Sequence, residues 1–266
     1  MDQQALTSDI KQAFEEVNTL VLRPEKKILT GKERIDFEKR SKNWVFGYEL
    51  FAAAPTTFAA STDIPIPNDY LIGPGDELQI TIIGGASLKA SALGNIDGAY
   101  IVDRSFSISL PKIGRITLAG LNFKESREHI NKIVKNKFVG SEAIVSLADL
   151  RTIKVFVMGA AYLPGAYSVS SLASITNVLH ITGGVSEIGS IRNIQIKRQG
   201  KEVLTFDLYD LLLKGDTSKD IIVKNGDVIF IPTISKSVRM HGAFKRPSLF
   251  EMKEGDKLND LVGFAG

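Results

Sequence analysis

Residues 155–183 read VFVMGAAYLPGAYSVSSLASITNVLHITG, and residues 238–266 read VRMHGAFKRPSLFEMKEGDKLNDLVGFAG. Displaced by 83 positions, the second lies over the first without a gap. Val155 meets Val238, Gly159 meets Gly242, Ala160 meets Ala243, Pro164 meets Pro247 and Gly183 meets Gly266. Between these identities the character agrees, with Tyr167 over Phe250, Val169 over Met252, Ile175 over Leu258, Val178 over Leu261 and Leu179 over Val262. Glycine and proline set turns, and recurrent apolar positions set buried faces, so agreement in register marks a repeated module. Within it, residues 154–158 and 166–169 read as a hairpin about a turn at 159–165. Residues 174–181 read as a helix, capped by Ser171 or Ser174 and closed by Gly183-Gly184.

Past the first copy, residues 191–198 alternate as a strand that turns at Gly200-Lys201 and continues over 203–206. Residues 208–213 are helical in character. Lys224-Asn225-Gly226-Asp227 then turns into a buried strand over 228–231, stopped by Pro232. A hairpin, a helix across it and returning strands make a β-grasp-like unit over residues 151–233. The second copy has no counterpart of residues 184–232, so residues 234–266 are expected to be the incomplete start of another unit. There Leu258, Leu261, Val262 and Phe264 lack the strands against which Ile175, Val178, Leu179 and Ile181 pack. The tail from Val238 is expected to be poorly ordered or to take cover from a neighbour.

Upstream, Gly73-Pro74-Gly75-Asp76 is a turn, and Leu78, Ile80 and Ile82 alternate with Glu77, Gln79 and Thr81 as a half-buried strand. Residues 86–98 form a small-residue loop. Strands follow over 100–102 and 105–110, and residues 115–118 run back after Pro111-Lys112-Ile113-Gly114. Phe123, Ile130, Ile133, Val134 and Phe138 fall on one side of a helix over 123–138, and residues 142–147 are a strand. The order β-β-β-α-β describes a compact α+β domain over residues 64–150. Before it, residues 1–63 read as an N-terminal arm: an amphipathic helix over 6–21, a charged stretch over 31–43, and an extended segment over 44–63 that drapes over a surface.

Composition narrows the function. The 33 basic and 30 acidic residues leave a net charge of +3, scattered along the chain, which argues against nucleic acid as a partner. The absence of cysteine removes disulfides, thiolate metal sites and thiol nucleophiles together. No apolar run reaches the length of a membrane-spanning helix, and the charged first 20 residues do not read as a signal peptide.

Side chains with chemical potential fall into structural patterns. His129, His180 and His241 sit in no metal-ligand spacing. Asp207 and Asp210 lie at a strand-to-helix junction, where aspartate caps helices. Asp76, Asp227 and Asp256 each follow glycine in a turn, a structural habit shared by three places. Gly84-Gly85 and Gly183-Gly184 lack the spacing and lysine of a phosphate loop. Trp44, Tyr100, Tyr162, Tyr167 and Tyr209 are candidate sugar-stacking rings; Tyr167, repeated as Phe250, reads as core, and Tyr162, repeated as Lys245, as an exposed hairpin tip. No catalytic, cofactor-binding or metal-binding residue is assigned, and no substrate-binding residue can be singled out.

The stretch Asp69-Tyr70-Leu71-Ile72-Gly73-Pro74-Gly75-Asp76, then Val102-Asp103, Ile108 to Ile116 and Ala119-Gly120-Leu121, resembles the polysaccharide export sequence domain of the Wza-type export family. The repeat is similar to the soluble-ligand-binding β-grasp (SLBB) domain, through Gly159, Pro164-Gly165, Tyr167, Gly183-Gly184 and the closing run Asn225 to Pro232. Phe106 stands where that family usually has a turn glycine, so the strand pair there is expected to be altered. The resemblance implies an export-type α+β domain, one complete SLBB domain and the start of a second, in the N-terminal part of a longer multi-SLBB protein. It further implies a non-enzymatic, periplasmic part of an outer-membrane exporter of capsular or exopolysaccharide, acting as a homo-oligomeric ring. A polysaccharide polymer and an inner-membrane chain-length regulator or tyrosine kinase would be its partners, without cofactors. A module that binds carbohydrate or regulates a partner, without forming a pore, is the alternative.

Overall fold

The computed structural model describes residues 44–52, 66–84 and 96–266. The helix expected over 6–21, the charged stretch over 31–43 and most of the small-residue loop after Gly85 lie outside them. The described chain is α+β, built on two hydrophobic cores.

In the first unit, strand β1 (Glu77–Gly84) lies between β2 (Gly98–Ile101) and β5 (Ser141–Asp149) in an antiparallel sheet. Its alternation has the expected consequence: Leu78 and Ile80 are fully buried, while Glu77 and Gln79 are partly exposed. Counting the one-turn helix α1 (Glu49–Ala52) described below, the second helix, α2 (Phe123–Lys137), buries Phe123, Ile130 and Val134 in the same core. It begins cleanly because Asn122 accepts from the amide of Glu125 while the Glu125 carboxylate accepts from the amide of Asn122.

Strands β3 (Ser107–Leu110) and β4 (Gly114–Thr117) form a hairpin of their own, so four strands precede the helix rather than three. The strand pair expected to be altered at Phe106 keeps a regular register, and the departure is confined to the backbone of Phe106 itself. Phe106 adopts φ 56°, the left-handed conformation that glycine would enter without steric cost. The pairing beyond it, from Ser107↔Thr117 to Leu110↔Gly114, is regular. The backbone keeps the glycine geometry, and the phenylalanine bears the strain.

The second unit is a five-stranded sheet in the order β7-β6-β10-β8-β9, comprising β6 (Thr152–Gly159), β7 (Gly165–Ser170), β8 (Ile194–Arg198), β9 (Lys201–Phe206) and β10 (Val228–Ile231). Strands β6 and β10 are parallel and the other neighbours antiparallel. Helix α3 (Ile175–Ile181) brings Ile175, Val178 and Leu179 into the core with Val155, Val157, Ile229 and Ile231, all wholly buried. Each such side chain contributes about 1.5–3 kcal/mol. Helix α4 (Leu208–Lys214) adds Leu208 and Tyr209 to the same core.

The repeat is geometrically faithful. Strands β11 (Lys236–Arg239) and β12 (Leu249–Met252) pair Lys236↔Met252 and Val238↔Phe250, the counterparts of Ile153↔Val169 and Val155↔Tyr167. Helix α5 (Leu258–Ala265) starts as α3 does, with Asp260 accepting from the Lys257 amide as Asn177 accepts from that of Ser174. Burial is where the copies part. Leu258 and Val262 are 67% and 43% exposed, whereas their counterparts Ile175 and Leu179 are at 0%.

The tail takes its cover from within the chain. Phe250, Leu261 and Ala265 join the core of the preceding module, and Tyr209 meets the rings of Phe46, Phe250 and Phe264 edge-on at 5.3–6.2 Å. Residues 44–52 complete that cover. The amide of Phe46 donates to Leu249 O at 2.7 Å, and Phe51 covers Gly184 so closely that a Cβ there would lie 2.1 Å from the ring. Where composition suggests an extended segment, Phe46 to Tyr48 turn and α1 adds one helical turn, because Val45, Tyr48 and Phe51 are all drawn into the core.

Candidate functional site

The three Gly-Asp turns share one mechanism, and it organises the joints of the molecule. In each, the aspartate accepts from the amide three residues earlier: Gly73 to Asp76 at 2.8 Å, Lys224 to Asp227 at 2.8 Å and Lys253 to Asp256 at 2.8 Å. In each, an arginine from elsewhere neutralises the carboxylate: Arg151 for Asp76, Arg198 for Asp227 and Arg192 for Asp256. Asp76 and Asp227 are fully buried, where an unpaired carboxylate would be costly, so the arginine is part of the turn.

The Asp76 turn forms the joint between the two units. Its carboxylate accepts from Tyr70 Oη at 2.7 Å, from the Arg151 amide at 3.0 Å and from Arg151 Nη1 at 2.6 Å. Tyr70 Oη also lies 2.8 Å from Ser171 Oγ in the β-grasp unit. Burial pushes the Tyr70 phenol far up, keeping it a neutral donor across the neutral pH range. Arg151 sits between β5 and β6, so one cluster ties the first unit, the connection and the second unit together.

The second joint docks the tail. Glu251, 2% exposed, accepts from Ser190 Oγ and from the amides of Ile191 at 2.9 Å and Arg192 at 3.2 Å. The Arg192 guanidinium bonds both Asp207 and Asp256 and lies over the rings of Tyr209 and Phe264 at 4.7 and 4.9 Å. Burial alone would lower the Arg192 pKa, but Asp207 and Asp256 raise it above the ordinary value. Burial also raises the Glu251 carboxyl, against the pull of its hydrogen bonds.

The β-grasp sheet has a second face, away from α3. Phe156 and Met158 alternate with the buried Val155 and Val157 and therefore project to the other side. Phe156 stands beside Ala166 and Val228, and Met158 beside Phe230. Lys197 Nζ sits 4.5 Å over the Phe230 ring, and Gln195 and Thr205 continue its row. Among the described residues, Phe156, Met158, Val228 and Phe230 lie outside both cores. The face offers two aromatic rings bordered by amide, hydroxyl and ammonium groups, a combination suited to a sugar or a protein surface.

Of the sequence candidates, Asp207, Asp256 and Tyr209 are brought together around Arg192, and the others lie apart. Asp207 caps α4 and binds Arg192 and Lys253, while Asp210 binds Lys214 and Lys219, whose hydrogen bonds hold its carboxyl below the ordinary range. His129 is exposed on α2 and His241 in the connection between β11 and β12, and burial lowers the His180 pKa. Tyr209 is core, Tyr167 and Tyr100 are half-buried, and Trp44 donates to Glu187 at 3.3 Å. Tyr162 is 64% exposed at the β6–β7 turn, beside Gly183. The arginines of the three turns and the Phe156–Phe230 pair carry no motif. The available signal for the pair was apolar residues at the outward positions of a strand.

Comparison with known proteins bears on the first unit directly: residues 65–148 match the family described as polysaccharide biosynthesis/export protein. Residues 65–148 are thus similar to the domain that defines the polysaccharide export family. Over 212 residues it is 28% identical to the polysialic acid transport protein KpsD of Escherichia coli, covering 79% of this chain and 36% of that protein. Over 217 residues it is 26% identical to the EPS I polysaccharide export outer membrane protein EpsA of Ralstonia nicotianae, covering 74% of this chain and 56% of that one. The chain thus spans about a third of the length of the first relative and about half of the second. The family match ends at residue 148, just before Arg151, so the Asp76 joint links the matched domain to the β-grasp module.

Proposed function

We propose that this chain is a non-catalytic, periplasmic part of an outer-membrane polysaccharide exporter, in which copies of the protein form rings around a polymer conduit. The observation that carries the reading is the family match over residues 65–148, which coincides with a folded unit locked to a β-grasp module by Tyr70, Asp76, Arg151 and Ser171. A conduit for a hydrophilic polymer needs domains fixed at set angles, and the Asp76 and Glu251 joints are devices for that. Both sheets end in edge strands, β2 and β5 in one and β7 and β9 in the other, and a closed ring would cover such edges. The buried carboxylates are committed to turns, caps and arginines, which supports a scaffold over a hydrolase. The names of the relatives support a polysaccharide as the cargo and the outer membrane as the place. An inner-membrane chain-length regulator or kinase is the partner that the resemblance implies.

The test is deletion of the gene, with complementation by the full-length protein and by an Asp76→Ala variant. Loss of surface polymer, its accumulation inside the envelope, and rescue by the unaltered protein alone are expected. The ring-free alternative, a carbohydrate-binding module, is favoured by the Phe156–Phe230 face. Under it the deletion strain would still place polymer on its surface, and the protein would bind oligosaccharide as a monomer.

A further inference from the structure

A groove of about 390 Å³ runs between α2 and the outer edge of β5, and nothing above gives it a role. Its walls are Asn68, Lys124, Arg127, Glu128 and Asn131 on one side and β5 from Glu142 to Val145 on the other. The floor is fixed. Asn131 accepts from the Ala143 amide at 3.1 Å and donates to Glu142 Oε1 at 3.1 Å, so its amide plane is held at both ends. Since β5 pairs with β1 alone among the described residues, and the Ala143 N–H turns away from β1, alternation turns the peptide groups of Val145 the same way, towards the groove.

The charges in the groove do not cancel. Glu142 is neutralised by Lys135 at 3.0 Å. Among the described residues, Lys124 and Arg127 have no ion-pair partner, although they lie one turn apart on the same helix. Arg127 rests on the Phe123 ring at 5.7 Å, which restricts its planar fork. Against these two cations stands Glu128 alone. A bare anion would use the cations and leave Glu128 repelling it. A neutral sugar would use Glu128, Asn68 and Asn131 and leave the cations idle. A sugar acid uses both sets, placing its carboxylate on the arginine fork and its hydroxyls on carboxylate and amide oxygens. The volume falls at the small end of the ~300–1,000 Å³ range of ligand pockets, which suits a short saccharide segment.

We propose that this groove binds a carboxylated sugar unit, with Arg127 and Lys124 on the carboxylate and Glu128, Asn68 and Asn131 on ring hydroxyls. The saccharide class rests on the export reading above; the acidic character rests on the groove. The test titrates the full chain, followed by backbone amide shifts, with three probes: a tetramer of galacturonic acid, the same tetramer with its carboxyls reduced to the neutral galactose form, and an oligoglutamate of similar charge. The acidic tetramer should bind with shifts confined to Asn68 and residues 124–131 and 142–146. The neutral tetramer, and the acidic tetramer on Arg127→Gln, should bind about tenfold more weakly or worse, the loss of one charge-assisted contact. Lys201→Gln, a charge change at the exposed start of β9, should leave binding unchanged. Equal binding of acidic and neutral tetramers, or shifts centred elsewhere, overturns the proposal. Oligoglutamate displacing the tetramer at equal concentration also overturns it, making the groove an acidic-peptide dock. None of these results touches the export reading, which fails only if the deletion strain exports normally.

Discussion

Replacing Asp76 with alanine is expected to loosen the joint between the export domain and the β-grasp module by about 3 kcal/mol, a figure built from its bonds. The carboxylate is fully buried and accepts from the amides of Gly73 and Arg151, at 2.8 and 3.0 Å, from Tyr70 Oη and from Arg151 Nη1. Two orphaned buried N–H groups cost at least about 1 kcal/mol each. The Arg151 side chain is 26% exposed, so water can take back part of its charge, and the ion pair is discounted to about 1 kcal/mol. Tyr70 Oη retains Ser171 and is left out of the sum. The total lies at the lower end of the ~3–5 kcal/mol observed when one member of a buried pair is removed. Amide hydrogen exchange on the full chain reads the effect locally: the Gly73 and Arg151 amides should exchange about a hundredfold faster, since each 1.4 kcal/mol is about tenfold. An Arg151 amide that exchanges within about threefold of its original rate would refute the assignment of this cluster as the joint.

Gly159 and Gly242, one of the two glycine pairs matched by the repeat, should behave differently. A Cβ on Gly159 would lie 2.2 Å from Ile231 O, whereas one on Gly242 meets nothing within 4 Å, so Gly159→Ala should cost at least about 3 kcal/mol and Gly242→Ala about 1, from its positive φ alone; equal losses in urea titrations would contradict this. Burial holds the Glu251 carboxyl above its ordinary 4.5, so just above pH 4.5 the folded chain keeps a proton that the unfolded chain has lost. Its contribution to tail docking therefore falls as pH rises through that window, and Glu251→Gln should flatten the profile; an unaltered profile in the variant counts against it. Phe264→Ala, which removes a half-buried ring from Arg192 and Tyr209, should cost about 2 kcal/mol and expose the amides of β12 to exchange while β6 and β10 stay protected.

The repeat was legible because glycines and prolines that set turns recur at one spacing, and its hairpin register follows from them. The helix at 123 was legible from its apolar spacing, the one near 175 from its serine cap, and the Gly-Asp turns from their spelling. What the turns do was not legible, because each borrows an arginine from elsewhere, 29 to 75 residues away, and no local pattern marks which arginine serves which aspartate. The reading of residues 44–63 as an extended drape fails at 46–52 for a related reason: Val45 meets Leu249 of the tail while Tyr48 and Phe51 reach Gly189 and Gly184 of the β-grasp unit, partners more than 130 residues away. The outward Phe156 and Phe230 read as ordinary strand residues until the sheet shows which face is covered. The groove beside α2 is visible only when the helix and β5 lie side by side.

The most direct measurement is the native mass and image of the full-length protein extracted from the outer membrane in detergent. A closed ring of several copies is expected, with the domain of residues 65–148 and the β-grasp module in stacked tiers about an open axis. A strict monomer that binds oligosaccharide, from a strain whose surface polymer survives deletion of the gene, would contradict it.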